Sequence, residues 1–286
     1  MDYDLSLYPD PNACNGSYVP AGGQPFPPTP PADSFSTTYS NAGYYDVLQI
    51  TSNGTGTISD DYFYPNSITV HPKPDTDFTP HNICKGVLGI WYENSSIDSL
   101  AGQNPQEEII SWEWQAAQVI GGVTGPFSSI GVPGASNLTH TFNQSGEWKI
   151  KLTCTSNNQC SRSVEHSILV HDLPIAGFTS QFNPSCVGTT VNFDGSTLTG
   201  GSFDSPTGTI YEWNWDYGDG NQWNSTTGGN GNGGTGNGDG ENEYLTASTT
   251  YDVTLTVIDD NGCVSEPTQD AIFIAPEIQA DFNAPS

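Results

Sequence analysis

Basic residues are nearly missing from this chain: 5 Lys and Arg stand against 32 Asp and Glu, a formal charge of −27 over 286 residues. That shortage excludes whole classes of partner. Nucleic acid needs Lys and Arg to neutralise its phosphates, and a surface this acidic repels it. An anionic lipid surface is disfavoured for the same reason. Long apolar runs are missing as well, so no stretch reaches the ~18 residues of a membrane span and no direct membrane insertion is expected. No window shows the apolar spacing of an amphipathic helix. No H-E-x-x-H, G-x-S-x-G or C-x-x-C signature occurs, so neither a common hydrolase nor a zinc site is expected, and the chain reads as a non-enzyme. The opening Met1-Asp2-Tyr3-Asp4 lacks the basic and apolar regions of a secretory signal, which suggests a piece of a longer chain.

Apolar residues make up 34%, below the usual ~45–50%. Aromatics reach 11%, with 7 Trp and 13 Tyr, enough for small aromatic-centred cores and unlike a disordered acidic chain. Internal repetition is the strongest signal. Ser67-Ile68-Thr69-Val70-His71-Pro72, Ser167-Ile168-Leu169-Val170-His171-Asp172 and Ala271-Ile272-Phe273-Ile274-Ala275-Pro276 share one pattern. Each is followed by a matching opening that ends at Phe78, Phe178 or Phe282. Within the repeats, Tyr251 to Val257 alternates apolar and polar residues as a half-buried strand does. Trp148 to Cys154 matches it, and Tyr45 to Ile50 is a looser copy. With 32 Gly and 21 Pro, the pattern predicts an all-β chain of tandem sandwiches. The expected units are 1–72 (degenerate or partial), 73–172 and 173–276, with 277–286 opening a further repeat.

Unit 173–276 contains Tyr211-Glu212-Trp213-Asn214-Trp215-Asp216-Tyr217-Gly218-Asp219-Gly220, then the Tyr251–Val257 strand and Asp259-Asp260-Asn261-Gly262-Cys263. This resembles the PKD domain, an immunoglobulin-like sandwich marked by a W-D-F-G-D-G turn ahead of a Y-x-V-x-L-x-V strand. Tyr217 in place of Phe is the one departure. The pairing of Pro184-Ser185-Cys186-Val187-Gly188 with Asn261-Gly262-Cys263 is similar to PKD repeats in large Bacteroidota surface proteins, such as the SprB-type gliding-motility adhesins. Unit 73–172 keeps Trp112 and Trp114 but has Gln115-Ala116-Ala117-Gln118 where the resemblance calls for G-D-G, making it a degenerate member. On the residues alone, Trp213, Trp215 and Tyr217 share one strand face and can fill the space between two sheets. Gly218 and Gly220 permit a tight turn that Asp219 can cap.

Six cysteines occur: Cys14, Cys84, Cys154, Cys160, Cys186 and Cys263. Equivalent positions in the repeats suggest the pairs Cys84–Cys160 and Cys186–Cys263, the latter worth roughly 4 kcal/mol on the chain-entropy model. Cys154 stands where Val257 points inward and reads as a small buried hydrophobe. Disulfides imply an oxidising, extracellular location at a cell surface.

Unit 173–276 carries 13 acidic residues and no basic one. Ca²⁺ is therefore the candidate cofactor, beside Asp216 and Asp219, with Asp239, Glu241 and Glu243 folding back, or near Asp259 and Asp260. The alternative is a solvated acidic surface with a turn aspartate. Gly231 to Gly236 reads formally as G-x-G-x-x-G, but without a flanking strand and helix it is a low-complexity linker. N-x-[ST] sequons lie at Asn15, Asn53, Asn94, Asn137, Asn143 and Asn224. Asp98-Ser99-Leu100 is similar to an O-glycosylation motif of Bacteroidota surface proteins, which implies Ser99 as a modification site.

The expected role is a stalk segment of a long extracellular filamentous adhesin, in gliding motility or surface attachment. Its partners would be neighbouring repeats of the same chain, with surface polysaccharide or other surface proteins as further ones. Alternatives are accessory modules of a secreted polysaccharide hydrolase or protease, or an archaeal surface-layer protein.

Overall fold

The computed structural model describes residues 4–7, 33–35, 38–53, 57–103, 105–196, 201–229, 234 and 238–278, with the side chains of 4–7, 33–35, 48–53 and 57–64 left aside. All regular structure among them is β. The chain forms two compact units, one of Met1–His81, Leu88–His140 and Glu147–Ile168, the other of Asn82–Val87, Thr141–Gly146 and Leu169–Ser286.

The strands fall into three runs. The first holds β1 (Asp4–Leu7), β2 (Asp33–Phe35), β3 (Gly43–Asn53) and β4 (Thr57–Val70). The second holds β5 (Ile83–Cys84), β6 (Leu88–Trp91), β7 (Ile109–Ile120), β8 (Val123–Thr124), β9 (Ser128–Ser129), β10 (Leu138–Thr141), β11 (Gly146–Ser156) and β12 (Ser161–His171). The third holds β13 (Thr179–Ser180), β14 (Ser185–Cys186), β15 (Thr190–Asp194), β16 (Ile210–Asp216), β17 (Gln222–Asn224), β18 (Gly228–Gly229), β19 (Asp239–Glu243), β20 (Thr249–Asp259) and β21 (Thr268–Ala275).

In the first unit β1 and β2 pair in parallel, and β3 and β4 form a long antiparallel hairpin. The expected strand Tyr45–Ile50 lies inside β3. A sheet runs β12-β11-β7-β8, with β9 also on β7, and β6 pairs with β10. Phe78, Trp91, Trp114, Ile150, Leu152 and Cys154 are buried between them, with Phe78 edge-on to Trp114 at 5.0 Å. Cys154 thus occupies the apolar position expected of it.

The departure at Gln115–Gln118 has a visible result. Without G-D-G to turn the chain, β7 continues for 12 residues, and Ala116, Ala117 and Gln118 pair with Ile150, Lys149 and Trp148 of β11. Its counterpart β16 stops after 7 residues at Asp216, where the glycine turn begins. Alanine has no reason to leave the ladder, whereas Gly218 at φ +77° reverses it.

The second unit is a sandwich of two sheets, β14-β21-β20-β16-β17-β18 and β13-β15-β19. Alternation along β20 sends Val253, Leu255 and Val257 into the core, where they meet Val191 and Phe193 of β15 and Ile272 and Ile274 of β21. Trp213, Trp215 and Tyr217 all face inward, with exposures of 6, 2 and 0%.

Candidate functional site

Two features carry the positions singled out in the sequence: the turn after β16 and the cysteine-bearing turn between β20 and β21.

Trp215 and Tyr217 lie nearly parallel, 8° apart with ring centroids 6.1 Å from each other. Gly240 of β19 lies flat on them; a Cβ there would come within 2.8 Å of the Tyr217 hydroxyl and 3.0 Å of the indole. The Tyr217 hydroxyl accepts a hydrogen bond from the Glu241 amide at 3.1 Å, and the Tyr244 hydroxyl donates to the Tyr217 carbonyl at 3.1 Å. Burial pushes both phenols well above the ordinary tyrosine range, so neither ionises near neutrality.

The following Asp216 and Asp219 organise the turn itself. Asp216 accepts from the Gly218 amide at 3.0 Å and from the Gln222 side chain at 3.1 Å. Asp219 accepts from the Asn221 amide at 3.0 Å, the Asn221 side chain at 3.1 Å and the buried Asn242 side chain at 2.8 Å. These are self-capping bonds of a tight turn.

The second turn is built around Asp259, whose side chain is fully buried. One carboxylate oxygen accepts from the amides of Asn261 (3.0 Å) and Cys263 (2.9 Å), and the other accepts from the Ser205 hydroxyl (3.1 Å). Asp260 accepts from the Thr209 amide at 3.0 Å, and the Asn261 side chain donates to the Thr207 carbonyl at 2.8 Å. The loop 205–209 therefore clamps the turn that presents Cys263.

Asp216 and Asp219 are thus at one turn and Asp259 and Asp260 at another. Asp239, Glu241 and Glu243 lie on β19, in the other sheet from Asp216. Among the described residues no three acidic, His or Cys side chains converge so as to hold a metal ion, and the calcium expectation gains no support from the geometry. Gly231 to Gly233 and Thr235 to Gly236 lie outside the described residues. Ser99 is exposed in the stretch between β6 and β7.

The cysteines correct the expected pairing. Cys84 is bonded to Cys263, with Cα atoms 5.6 Å apart, and Cys186 is a free, exposed thiol. Cys160 is also disulfide-bonded, but not to Cys84. Strand geometry gives the reason. Cys186 pairs in parallel with Ala275 at the end of β21, whereas Cys263 precedes the start of that strand at Thr268. Eight strand residues at about 3.3 Å each separate the two by far more than the ~4.4–6.8 Å a disulfide spans. Repeat 73–172 has the same layout: Cys84 pairs with His171 at the end of β12, and Cys160 precedes its first residue, Ser161. The sequence carried no signal for this, since the placement of each repeat's two cysteines at opposite ends of its last strand follows from the parallel pairing of β5 with β12 and of β14 with β21.

One buried polar cluster was not foreseen. Glu107, in the first unit, is enclosed, with its carboxylate 2.6 Å from His71 Nδ1. The Asn158 side chain donates to both its oxygens at 2.9 Å, and Gln103 donates at 2.8 Å. Burial alone pushes this carboxyl up, but the bonds from Asn158, Gln103 and His71 hold it below the ordinary glutamate range. Asn158 lies in the turn that carries Cys160, so the cluster fixes that turn from inside.

No protein-family model matches the chain, and no curated protein does. Among solved structures, the chain is similar to the PKD1 domain from the Vibrio cholerae metalloprotease PrtV, at 23% identity over 36% of this chain and 98% of that one (TM-score 0.26). It is also similar to the fibronectin(III)-like modules of Clostridium thermocellum CbhA, at 12% identity over 73% of this chain and 100% of that one (TM-score 0.32). A third likeness is to SGBP-B of the Bacteroides ovatus mixed-linkage glucan utilization locus, solved with a mixed-linkage heptasaccharide, at 12% identity over 69% of this chain and 47% of that one (TM-score 0.24).

Proposed function

We propose that the chain is a non-catalytic, load-bearing segment of an extracellular filament, a stalk of tandem PKD-like β-sandwiches in a surface adhesin. The observation that carries this reading is the Cys84–Cys263 bond, which joins the sequence repeat 73–172 to the repeat 173–276. A bond of this kind forms and persists in an oxidising compartment, which fits a cell-surface location. Its mechanical effect is direct. Tension applied at the two chain ends bypasses the residues between the cysteines, a separation of 179, so unfolding them adds no length. Reduction would release that segment, about 600 Å at ~3.3–3.6 Å per residue. The acidic surface keeps such a segment soluble and unattractive to like-charged neighbours.

Stretching the whole chain by its ends in a force spectrometer tests the reading. The oxidised chain should reach a contour length about 600 Å shorter than the reduced one. Equal lengths with and without reductant would overturn the load-bearing role. For the adhesin context, antibodies to the chain should label intact cells of its source; labelling only after permeabilisation would refute it.

A further inference from the structure

The free thiol of Cys186 occupies a position whose counterpart one repeat earlier is already bonded. Cys84 opens a Cys-Lys-Gly-Val run and Cys186 a Cys-Val-Gly-Thr run. Each cysteine pairs in parallel with the last residues of its repeat, Cys84 with His171 and Cys186 with Ala275. The next amide donates to that same residue in both, Lys85 to His171 at 2.9 Å and Val187 to Ala275 at 3.0 Å. The glycine follows with φ of +79° at Gly86 and +73° at Gly188, and its amide donates to Phe142 or Tyr244 respectively, at 2.8 and 2.9 Å. The backbone is superposable in its bonding, and at the first copy the sulfur is joined to Cys263.

The receiving side recurs as well. Asp259 donates its amide to the Cys263 carbonyl at 3.0 Å and caps the Cys263 amide with its side chain. Ser156 donates its amide to the Cys160 carbonyl at 2.8 Å and offers its hydroxyl oxygen to the Cys160 amide at 3.3 Å. Gly262 at φ +77° and Gln159 at φ +63° hold the same place in the turn. The turn cysteine is disulfide-bonded in both.

We propose that Cys186 is a forward attachment site, made to form a disulfide with the turn cysteine of a further β-sandwich of this kind, as Cys84 does with Cys263. This inference rests on the tandem-array reading above. The chemistry needs an oxidant of the disulfide class, such as oxidised glutathione. The Cys186 thiolate attacks one glutathione sulfur and releases a glutathione thiolate. The turn cysteine's thiolate then attacks the mixed disulfide at the Cys186 sulfur and releases the second. One S–S bond is broken and one formed, the two cysteines are oxidised, and their two protons pass to the two glutathione thiols.

The test uses the full chain and a version extended after residue 276 by a second copy of 173–276, both refolded in a glutathione redox buffer. In the parent, a maleimide should label Cys186 fully without denaturant, and the buried Cys154 only after unfolding. In the extended chain, labelling of the first Cys186 should fall at least tenfold, and peptide mapping should recover it bonded to Cys263 of the added copy. Cys186→Ser in the first copy should leave that added Cys263 as a free thiol. A folded added copy with the first Cys186 still labelled, or with its own Cys186 and Cys263 bonded together, would overturn the attachment site and leave the array reading intact. An added copy that does not fold would sink the array reading and this inference with it. A parent Cys186 that resists labelling in the folded state would overturn the inference alone.

Discussion

Replacing Cys84 and Cys263 together by Ser removes the bond without leaving a reactive thiol in the turn. The bond spans a separation of 179 residues, for which the chain-entropy model gives about 5 kcal/mol. Measured losses of native disulfides run at about 2–5 kcal/mol. For a chain of this size that is a fall in melting temperature of roughly 5–20 °C. The turn should survive in outline, since the amide at 263 still finds Asp259 and the Ser205 contact is untouched. Thermal melting followed by near-ultraviolet circular dichroism would compare the oxidised parent, the reduced parent and the double variant. The double variant should melt below the oxidised parent, and the reduced parent, which also loses the Cys160 disulfide, should melt no higher than the variant. A variant melting with the oxidised parent would refute the argument. Stability alone does not report which cysteines are joined: a Cys186–Cys263 bond closes 77 residues, and the logarithm makes the two loops differ by only about 0.7 kcal/mol. Non-reducing peptide mapping does report it, and a Cys186–Cys263 peptide from the parent would contradict the structure directly.

Asp219→Ala removes the acceptor for Asn221 and for the fully buried Asn242, and should cost about 1–3 kcal/mol in urea denaturation; Asp219→Asn, which keeps one acceptor oxygen, should recover part of it. The depressed Glu107 carboxyl contributes stability that is present above the ordinary glutamate pKa of 4.5 and is lost as pH falls through its lower folded value. Glu107→Gln should therefore destabilise most at neutral pH and approach the parent in acid, and parallel stability curves from pH 7 to 2 would refute this. Millimolar calcium against chelator, at constant ionic strength, should leave the melting temperature unchanged, because the oxygens of Asp216, Asp219, Asp259 and Asp260 already serve their own turns. A rise abolished by Asp216→Asn or Asp219→Asn would establish the cation site and refute this expectation.

The alternation from Tyr251 to Val257 and the Trp213-Trp215-Tyr217 face specify their burial outright, because a strand's period of two allows no other inward set. Gly218, Gly220 and Asp219 were legible for a similar reason, since few residues make that turn. The cysteine pairing was not, because equivalence between repeats says which positions correspond and not which ones meet. Meeting depends on which end of an 11-residue strand each sulfur occupies, and loop entropy is nearly blind to the choice. The calcium expectation rested on a count of carboxylates, which says nothing about where their oxygens point; those of Asp216, Asp219, Asp259 and Asp260 accept from nearby turn amides and from Gln222, Asn242, Ser205 and Thr209. The Glu107 cluster draws on residues 71, 103, 107 and 158, too scattered to announce itself.

Four of the five basic residues, Lys85, Lys149, Lys151 and Arg162, lie between Cys84 and Cys263; only Lys73 lies outside. A trypsin-like enzyme that cuts after any of those four leaves two pieces still tied through sulfur. The backbone would be nicked and the tether would hold, so the two pieces stay joined. Severing the chain there takes a hydrolysis and a reduction, two reactions that seldom share a compartment.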